Sequence, residues 1–249
     1  MTYLKHIYSF LLVLSLASAV SAQQDKDEVK AFLLKAQKAY HESSYLGFRV
    51  RYLYMNAGKD SRPMDSLSGE IQMDKERCRM MIDGMETVVT GKYVIQIMEE
   101  DKSIYLSRSA KPGLMDPVQL MDTVYKQLDG IHATIFSEGS WKALTLKFPP
   151  GRMYTQITMV MDSATGYFQR ITYDVHTVGL VGQEQVDRPG HPAPYSQEGK
   201  IDMIFSNYEK GRFSDALFDE KNFFTREAGR FQPAGRYRDY HIFLASSNL

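Results

Sequence analysis

The feature that most constrains the fold of this chain is a two-residue alternation of apolar side chains in a series of short segments. In the first of them, Phe48, Val50 and Tyr52 alternate with polar or smaller residues. Successive side chains of a β-strand point to opposite faces of a sheet, so this spacing predicts a strand with one buried face. The same argument predicts strands at 48–54, 67–73, 78–82, 86–89, 93–98, 103–106, 132–136, 142–148, 154–161, 167–175 and 200–208.

Turn residues separate these segments at short intervals. Asp83-Gly84, Thr90-Gly91 and Asp101-Lys102 lie between consecutive predicted strands, and residues 162–166 separate two later ones. Short strands joined by tight turns are typical of antiparallel meanders. The predicted fold class is therefore mainly β, with some helix: a curved antiparallel sheet or open half-barrel of about eleven strands. We expect residues 23–249 to form a single domain.

Two helices are predicted to cover the apolar inner face of this sheet. Between residues 25 and 42, apolar residues such as Val29, Phe32 and Ala36 recur at steps of three and four, which is the period of an amphipathic helix. A second helix is predicted at 116–128, where Asp116 is a suitable N-cap and a proline follows in the first turn. The apolar stripe of this second helix, which we expect to act as a lid, comprises Val118, Met121, Val124 and Tyr125.

The first 22 residues have the three parts of a secretory signal. Lys5 is followed by an apolar run at 7–20 and by the small pair Ser21-Ala22. A bilayer-spanning helix needs about 20 apolar residues, so the run is short for a membrane anchor, which is the alternative interpretation. We predict cleavage after Ala22 and export to the periplasm. Gln23 would then be the first residue, and it cannot carry the lipid that an N-terminal cysteine accepts.

Composition excludes some classes of partner. The chain has 30 basic and 30 acidic residues, and this balance argues against a nucleic-acid partner. Its one cysteine, Cys78, cannot form an intramolecular disulfide and is predicted to be a small buried residue of a strand. Residues 182–199 are rich in proline and glycine and are predicted to form a flexible surface loop.

No spacing in the chain is typical of a catalytic or metal site. The histidines after the predicted cleavage site are scattered, and the acidic pairs Glu99-Glu100 and Asp219-Glu220 fall in predicted turns. Zinc sites and acid pairs of glycosidases need ligands or carboxylates that the fold brings together, and the sequence shows no such pattern. We therefore predict a protein that is not an enzyme and has no metal and no cofactor. An unrecognised hydrolase is a minor alternative.

The predicted inner face is unusually rich in methionine and large aromatic residues. Methionine adapts to irregular apolar shapes, and a single curved sheet with two helices has little to fill its inner face. The sequence thus leaves two interpretations open, a filled core and an apolar cavity that binds a ligand. The residues predicted to line the cavity are Phe48, Val50, Tyr52, Ile71, Met73, Met80, Ile82, Ile95, Ile97, Leu146, Met159, Met161, Ile171, Tyr173, Met203 and Phe205.

Four segments resemble the LolA-like family, the periplasmic carriers of outer-membrane lipoproteins. After the first helix come a Gly-x-apolar-x-apolar segment at 69–75 and a turn with an aromatic strand at 88–95, and the family's last strands resemble 201–208 and 215–218. The resemblance spans about three quarters of the exported chain. One departure is Lys75-Glu76, where the family has arginine followed by proline, so the arginine that helps hold the family's lid shut has no counterpart here.

The resemblance implies a fold and an activity. The implied fold is an open β-barrel closed by helices over an apolar cavity. The implied activity is to carry lipid or lipoprotein acyl chains from an inner-membrane complex to an outer-membrane receptor, and we expect the carrier to be a monomer. The alternative function is an envelope interaction module with a filled core, for which an exposed apolar patch near Phe223-Phe224 or in the aromatic tail would be evidence.

Overall fold

A computed structural model describes residues 27–58, 62–74, 77–109, 130–187, 189–190 and 193–246. These residues form a curved sheet of twelve strands and a separate two-stranded hairpin, β12–β13. The strands are β1 Tyr45–Asn56, β2 Pro63–Asp74, β3 Arg77–Ile82, β4 Met85–Val89, β5 Tyr93–Met98, β6 Ser103–Arg108, β7 His132–Glu138, β8 Trp141–Lys147, β9 Tyr154–Asp162, β10 Phe168–His176, β11 Glu198–Glu209, β12 Phe224–Glu227, β13 Arg230–Pro233 and β14 His241–Leu244.

The strand order in the large sheet is β14-β6-β5-β4-β3-β2-β1-β11-β10-β9-β8-β7. Two antiparallel meanders therefore meet where β1 pairs with β11, and the sheet stays open. The exception to antiparallel pairing is β14, which runs parallel to β6 at one edge. Each of the eleven predicted strands corresponds to one of β1–β11, and the predicted fold class is confirmed. The sequence analysis did not predict β12, β13 or β14.

Helix α1 spans 27–41 in the described part of the chain. Its buried stripe consists of Val29, Phe32, Leu33, Ala36 and Tyr40, which pack in one cluster with the sheet. This stripe recurs at three- and four-residue steps, so the amphipathic pattern is the physical reason that the helix lies on the sheet. The predicted second helix at 116–128, with its four lid residues, lies outside the described residues.

The second described helix, α2, is short and spans Val178–Val181. Beyond it, in the loop predicted at 182–199, Val186 is buried and forms an isolated bridge with Tyr195. The amide of Asp187 donates a hydrogen bond to the carbonyl of Tyr195 at 2.6 Å. The described parts of this loop are thus hydrogen-bonded to each other, and its flexibility stays a prediction. Among the described helices, none has the length and apolar character needed to cross a membrane.

Cross-strand register assigns each residue to one of the two faces of the sheet, because directly paired residues point the same way. From β1 to β3, Phe48 pairs with Ile71 and Ile71 with Met80. This row lies on the face that α1 covers, which we call the concave face. Gly69 also lies in this region, and a Cβ atom there would meet Ile82 at 2.4 Å. Glycine at this position lets two strands and the Ile82 side chain approach closely.

The adjacent row lies on the opposite face, which we call the outer face. It runs from Arg49 through Glu70, Met81 and Glu86 to Ile97. Ile95 lies on the same outer face, since it pairs with Val88, which pairs with Arg79. The prediction that Ile95 and Ile97 line the same concavity as Val50 is therefore wrong. Both faces of β5 carry apolar residues, so alternation alone did not identify the inward face there.

The outer face of β4–β6 is covered by the C-terminal tail, residues 213–246. The second buried cluster joins Ile95, Ile97, Ile104 and Leu106 of the sheet to tail aromatics, namely Phe218, Phe223, Phe224 and Tyr237. Burial of large aromatic side chains supplies much of the free energy of such a contact. The described residues thus form two apolar clusters, one on each face of a single sheet.

Candidate functional site

The candidate site is the concave face of the sheet. Its apolar lining comes from six strands, β1, β2, β3 and β9–β11, with further contributions from β7 and β8. Tyr52 of β1 pairs with Met203 of β11, Met203 with Ile171 of β10, and Ile171 with Met159 of β9. Every residue of this row is apolar or a tyrosine. This row can therefore contact a hydrocarbon chain, and it contains no charged side chain.

One end of the concave face is filled by the C-terminal end of α1. The ring of Tyr40 lies edge-on to Phe48 at 5.9 Å and to Tyr167 at 5.6 Å. Its hydroxyl oxygen is 2.6 Å from that of Tyr208, which donates to the carbonyl of Phe168 at 2.7 Å. Burial raises the pKa of Tyr208, and the nearby Tyr40 raises it further. This end is a packed, hydrogen-bonded core that holds the helix on the sheet.

The other end of the concave face is only partly covered by the described residues. Tyr52, Tyr173, Met203 and Ile82 pack against the main cluster but each keeps an intermediate exposure to solvent. Burial raises the pKa of Tyr52 and, together with the neighbouring Tyr154 and Tyr52, that of Tyr173. These phenols are thus in an apolar environment and stay neutral at physiological pH.

Most residues predicted to line the cavity lie together on the concave face. In the main cluster or packed against it are Phe48, Val50, Tyr52, Ile71, Met73, Met80, Ile82, Leu146, Met159, Met161, Ile171, Tyr173, Met203 and Phe205. Ile95 and Ile97 are on the outer face instead, and the lid residues lie outside the described chain. Cys78 packs at the margin of the cluster and is half-buried, less covered than predicted. That the concave residues bind a ligand remains a prediction.

The sequence analysis missed several concave-face residues. Leu144 and Ile157 alternate with Leu146 and Met159, so the period-two pattern could have identified them. Phe168 was hidden by an irregularity, because the register between β9 and β10 shifts between Phe168 and Arg170. Such a shift adds a residue to one strand, so strict alternation fails across it. No local signal marks such a shift in advance.

The outer face carries a polar groove of about 750 Å³ beside the tail. Within it the buried carboxylate of Glu86 accepts hydrogen bonds from Arg79 at 2.6 Å, Arg236 at 2.8 Å and Tyr237 at 2.9 Å. Burial and Glu86 raise the pKa of Tyr237 to about 12, against the opposing effect of Arg236. A buried carboxylate needs such partners to offset its desolvation. This arrangement attaches the tail to the sheet.

Within the described ranges, no group of three or more histidine, cysteine or acidic residues is placed to hold a metal ion. The fold and the site together define an open, curved antiparallel sheet with an apolar concave face that a helix covers at one end.

The chain is similar to several solved structures. An uncharacterised conserved protein from Thermus thermophilus shares 11% identity over 87% of this chain and 99% of that protein, with a TM-score of 0.48. A LolA superfamily protein from Nitrosomonas europaea shares 13% identity over 77% of this chain and 97% of its own, with a TM-score of 0.35. A candidate outer membrane lipoprotein-sorting domain from Vibrio parahaemolyticus shares 10% identity over 76% of this chain and 97% of its own, with a TM-score of 0.31.

The LolA superfamily, which the sequence resembles, is thus among the families of the similar solved structures. No family model and no curated protein matches the chain. At these identities and TM-scores the likeness does not extend to function, and the functional argument has to come from the residues of this chain.

Proposed function

We propose that this protein is a periplasmic carrier that shields an acyl chain of a lipid or lipoprotein on its concave face. The observation that supports the proposal is the end of that face that the described residues cover only in part, where Tyr52, Met203 and Ile82 keep intermediate exposure although they continue the apolar core. Large apolar surfaces that stay accessible to solvent are typical of binding sites. A hydrocarbon chain would cover this surface without needing any charged contact.

The route of the carrier is proposed from the family resemblance. The protein would be exported with its signal removed after Ala22, receive its cargo from an inner-membrane complex and deliver it to an outer-membrane receptor. It would act without catalysis and as a monomer. The sequence predicts that the lid at 116–128 and the first helix move aside to admit and release the chain, but the packing of α1 on the sheet favours a movement of the predicted lid alone.

A fluorescent C16 fatty-acyl probe tests the proposal directly. The native protein is expected to bind the probe saturably, and mass spectrometry of protein purified under native conditions should show a co-purifying lipid or lipopeptide. Met203→Trp places a large ring in the half-exposed region and should weaken probe binding about tenfold or more. Ile95→Trp is the matched control, because Ile95 lies under the tail on the outer face.

The control variant is expected to lose about 1–3 kcal/mol of stability by overpacking while binding the probe as tightly as the native protein. A native protein that binds no probe would contradict the carrier function. Equal loss of binding in both variants would show that the probe does not occupy the concave face.

The alternative function, an envelope interaction module, would be supported by an exposed patch at Phe223-Phe224. Both residues are instead 5% exposed and pack against the sheet. The exposed large apolar residues in the described part of the tail are Phe243 and Leu244 on the edge strand β14. This second function is the one to test next if no acyl probe binds.

A further inference from the structure

Two groups of three tyrosines lie on the concave face, and they differ in hydrogen bonding. At the α1 end, Tyr40 and Tyr208 bond to each other, and the hydroxyl of Tyr167 is 2.9 Å from that of Ser43. The amide of Phe168 also donates to the hydroxyl of Tyr40 at 3.3 Å. All three hydroxyls of this group have partners within the protein, as buried polar groups normally do.

The second group lies at the end that the described residues cover only in part, and it consists of Tyr52, Tyr154 and Tyr173. The rings of Tyr154 and Tyr173 are 5.6 Å apart, and Tyr52 is close enough to influence the ionisation of Tyr173. All three side chains have intermediate exposure, and none of their hydroxyls makes a hydrogen bond with another described residue. By contrast, Tyr54, two residues along β1, donates to the hydroxyl of Thr177 at 3.2 Å.

The surroundings of the second group are apolar. Tyr52 pairs across the sheet with Leu67 and Met203, and Tyr173 pairs with Ile157 and Ile201. A phenol hydroxyl in such surroundings is a neutral donor, and leaving it without a partner when a ligand displaces water costs free energy. A pure hydrocarbon would leave these hydroxyls unpaired, whereas the carbonyl oxygen of a ligand could accept hydrogen bonds from two of them.

We propose that the group formed by Tyr52, Tyr154 and Tyr173 binds the carbonyl oxygen of an ester or amide linkage at the head of the acyl chain, with two of the three hydroxyls donating to that oxygen. The inference rests on the proposed carrier function and adds a chemical requirement to it. The hydrocarbon lies along the methionine-rich row from Met203 to Met159, and the linkage lies at the tyrosines. The site therefore distinguishes an acylated molecule from a plain alkane of the same length.

Competition for the fluorescent C16 probe tests this selectivity. Hexadecane, methyl palmitate and N-methylpalmitamide are compared as competitors against the native protein and the triple variant Tyr52→Phe/Tyr154→Phe/Tyr173→Phe. Each hydrogen bond lost should weaken binding of the two carbonyl compounds by about two- to twelvefold, with little change for hexadecane. Tyr54→Phe is the control, because its hydroxyl already has a partner and should not affect the preference.

The outcomes separate this inference from the carrier function. Native protein that prefers the carbonyl competitors, with the preference lost in the triple variant and kept in Tyr54→Phe, supports the site. Native protein that binds all three competitors equally, or a triple variant that keeps the preference, overturns the site and leaves the carrier function standing. If no competitor and no probe binds the native protein, the carrier function fails and this inference fails with it. Thermal unfolding of each variant checks that altered binding is not a loss of fold.

Discussion

The two apolar clusters of this protein are built on opposite faces of one sheet and differ in how they are covered. On the outer face, Ile95, Ile97, Ile104 and Leu106 are fully buried under the tail. On the concave face, residues near α1 are equally buried, but Tyr52, Tyr173 and Met203 at the far end are not. The difference is that the described tail buries the outer cluster throughout, whereas the described residues bury the concave cluster fully at the α1 end and only partly at the far end.

The largest expected effect comes from placing a charge in the outer cluster. Ile97→Asp puts a second carboxylate directly across the sheet from the buried Glu86, whose arginine partners already bind Glu86, and should lower the free energy of unfolding by about 4 kcal/mol or more. Gln96→Asp is the control, because Gln96 is exposed on the concave side of the same strand and should cost less than about 1 kcal/mol. Urea unfolding measures both values. Similar losses in the two variants would mean that the face assignment of β5 is wrong.

A second test compares one phenylalanine from each cluster. Phe224 in the tail and Phe205 on the concave face are 5% and 6% exposed, so truncation of either to alanine should cost about 3–5 kcal/mol. Only Phe205→Ala should also change the affinity for the acyl probe, since it alters the lining of the proposed site. Probe titration of the folded fraction, with stability measured in parallel, checks this. Loss of probe binding in Phe224→Ala alone would reverse the roles of the two clusters.

Alkaline pH should act on the concave face through its buried tyrosines. Burial raises the pKa of Tyr52, Tyr173 and Tyr208 above the ordinary value of 10.0, so the folded state holds these protons more tightly than the unfolded state. Their contribution to stability is fully present below pH 10 and is lost as the pH rises above it. Chemical unfolding between pH 8 and pH 11 should show this decline.

Tyr208→Phe should reduce the loss of unfolding free energy that the native protein shows above pH 10. At neutral pH the same change removes the hydrogen bonds to Tyr40 and to the carbonyl of Phe168 and should cost about 1–2 kcal/mol. Tyr105→Phe is a suitable control, because Tyr105 stacks on Phe243 and its hydroxyl has no hydrogen bond to a described residue. An unchanged slope above pH 10 in Tyr208→Phe would contradict this assignment.

The smallest effect is expected at the exposed ion pairs of the tail. Hydrogen bonds from Arg77 and Arg212 lower the pKa of Asp215 below its ordinary 3.8, and Lys102 does the same for Asp239. These carboxylates favour the docked tail above pH 3.8, and that contribution is lost as the pH falls through their lowered values. Exposed pairs contribute little to stability, so the change should appear mainly as faster amide exchange in the tail.

Asp215→Asn should reproduce part of this loss at neutral pH. Asp101→Asn, in the turn between β5 and β6, removes an acidic side chain that makes no ion pair with a described residue and should leave exchange in the tail unchanged. If exchange is equally slow in native protein and Asp215→Asn, the apolar cluster alone holds the tail.

The sequence allowed the eleven central strands to be predicted because their signal is local. Alternation over five or six residues is enough to predict a strand, and the turn residues between strands indicate antiparallel pairing. The periodic stripe of α1 is equally local. Strands β12–β14 were missed because they are four residues long and carry weak alternation. Their position depends on contacts with β6 and with Tyr93 of β5, which lie more than a hundred residues away.

Two features of the candidate site also could not be predicted from the local sequence pattern. The placement of Phe168 depends on a register shift between β9 and β10. The sequence does not distinguish Tyr208 from Tyr173, since both are tyrosines in strands with alternating apolar residues. In the structure, the hydroxyl of Tyr208 is hydrogen-bonded, whereas that of Tyr173 makes no hydrogen bond with a described residue. Which of them has a partner depends on where α1 ends.

The sequence by itself thus determined that this protein is an antiparallel sheet with an amphipathic helix at its start and a methionine-rich apolar face. Only the tertiary structure decided that β5 turns Ile95 and Ile97 to the outer face, that the tail covers them, and that α1 covers one end of the concave face and not the other. The physical reason is that alternation specifies which residues share a face, whereas the choice of face depends on which distant segment buries more apolar surface against it.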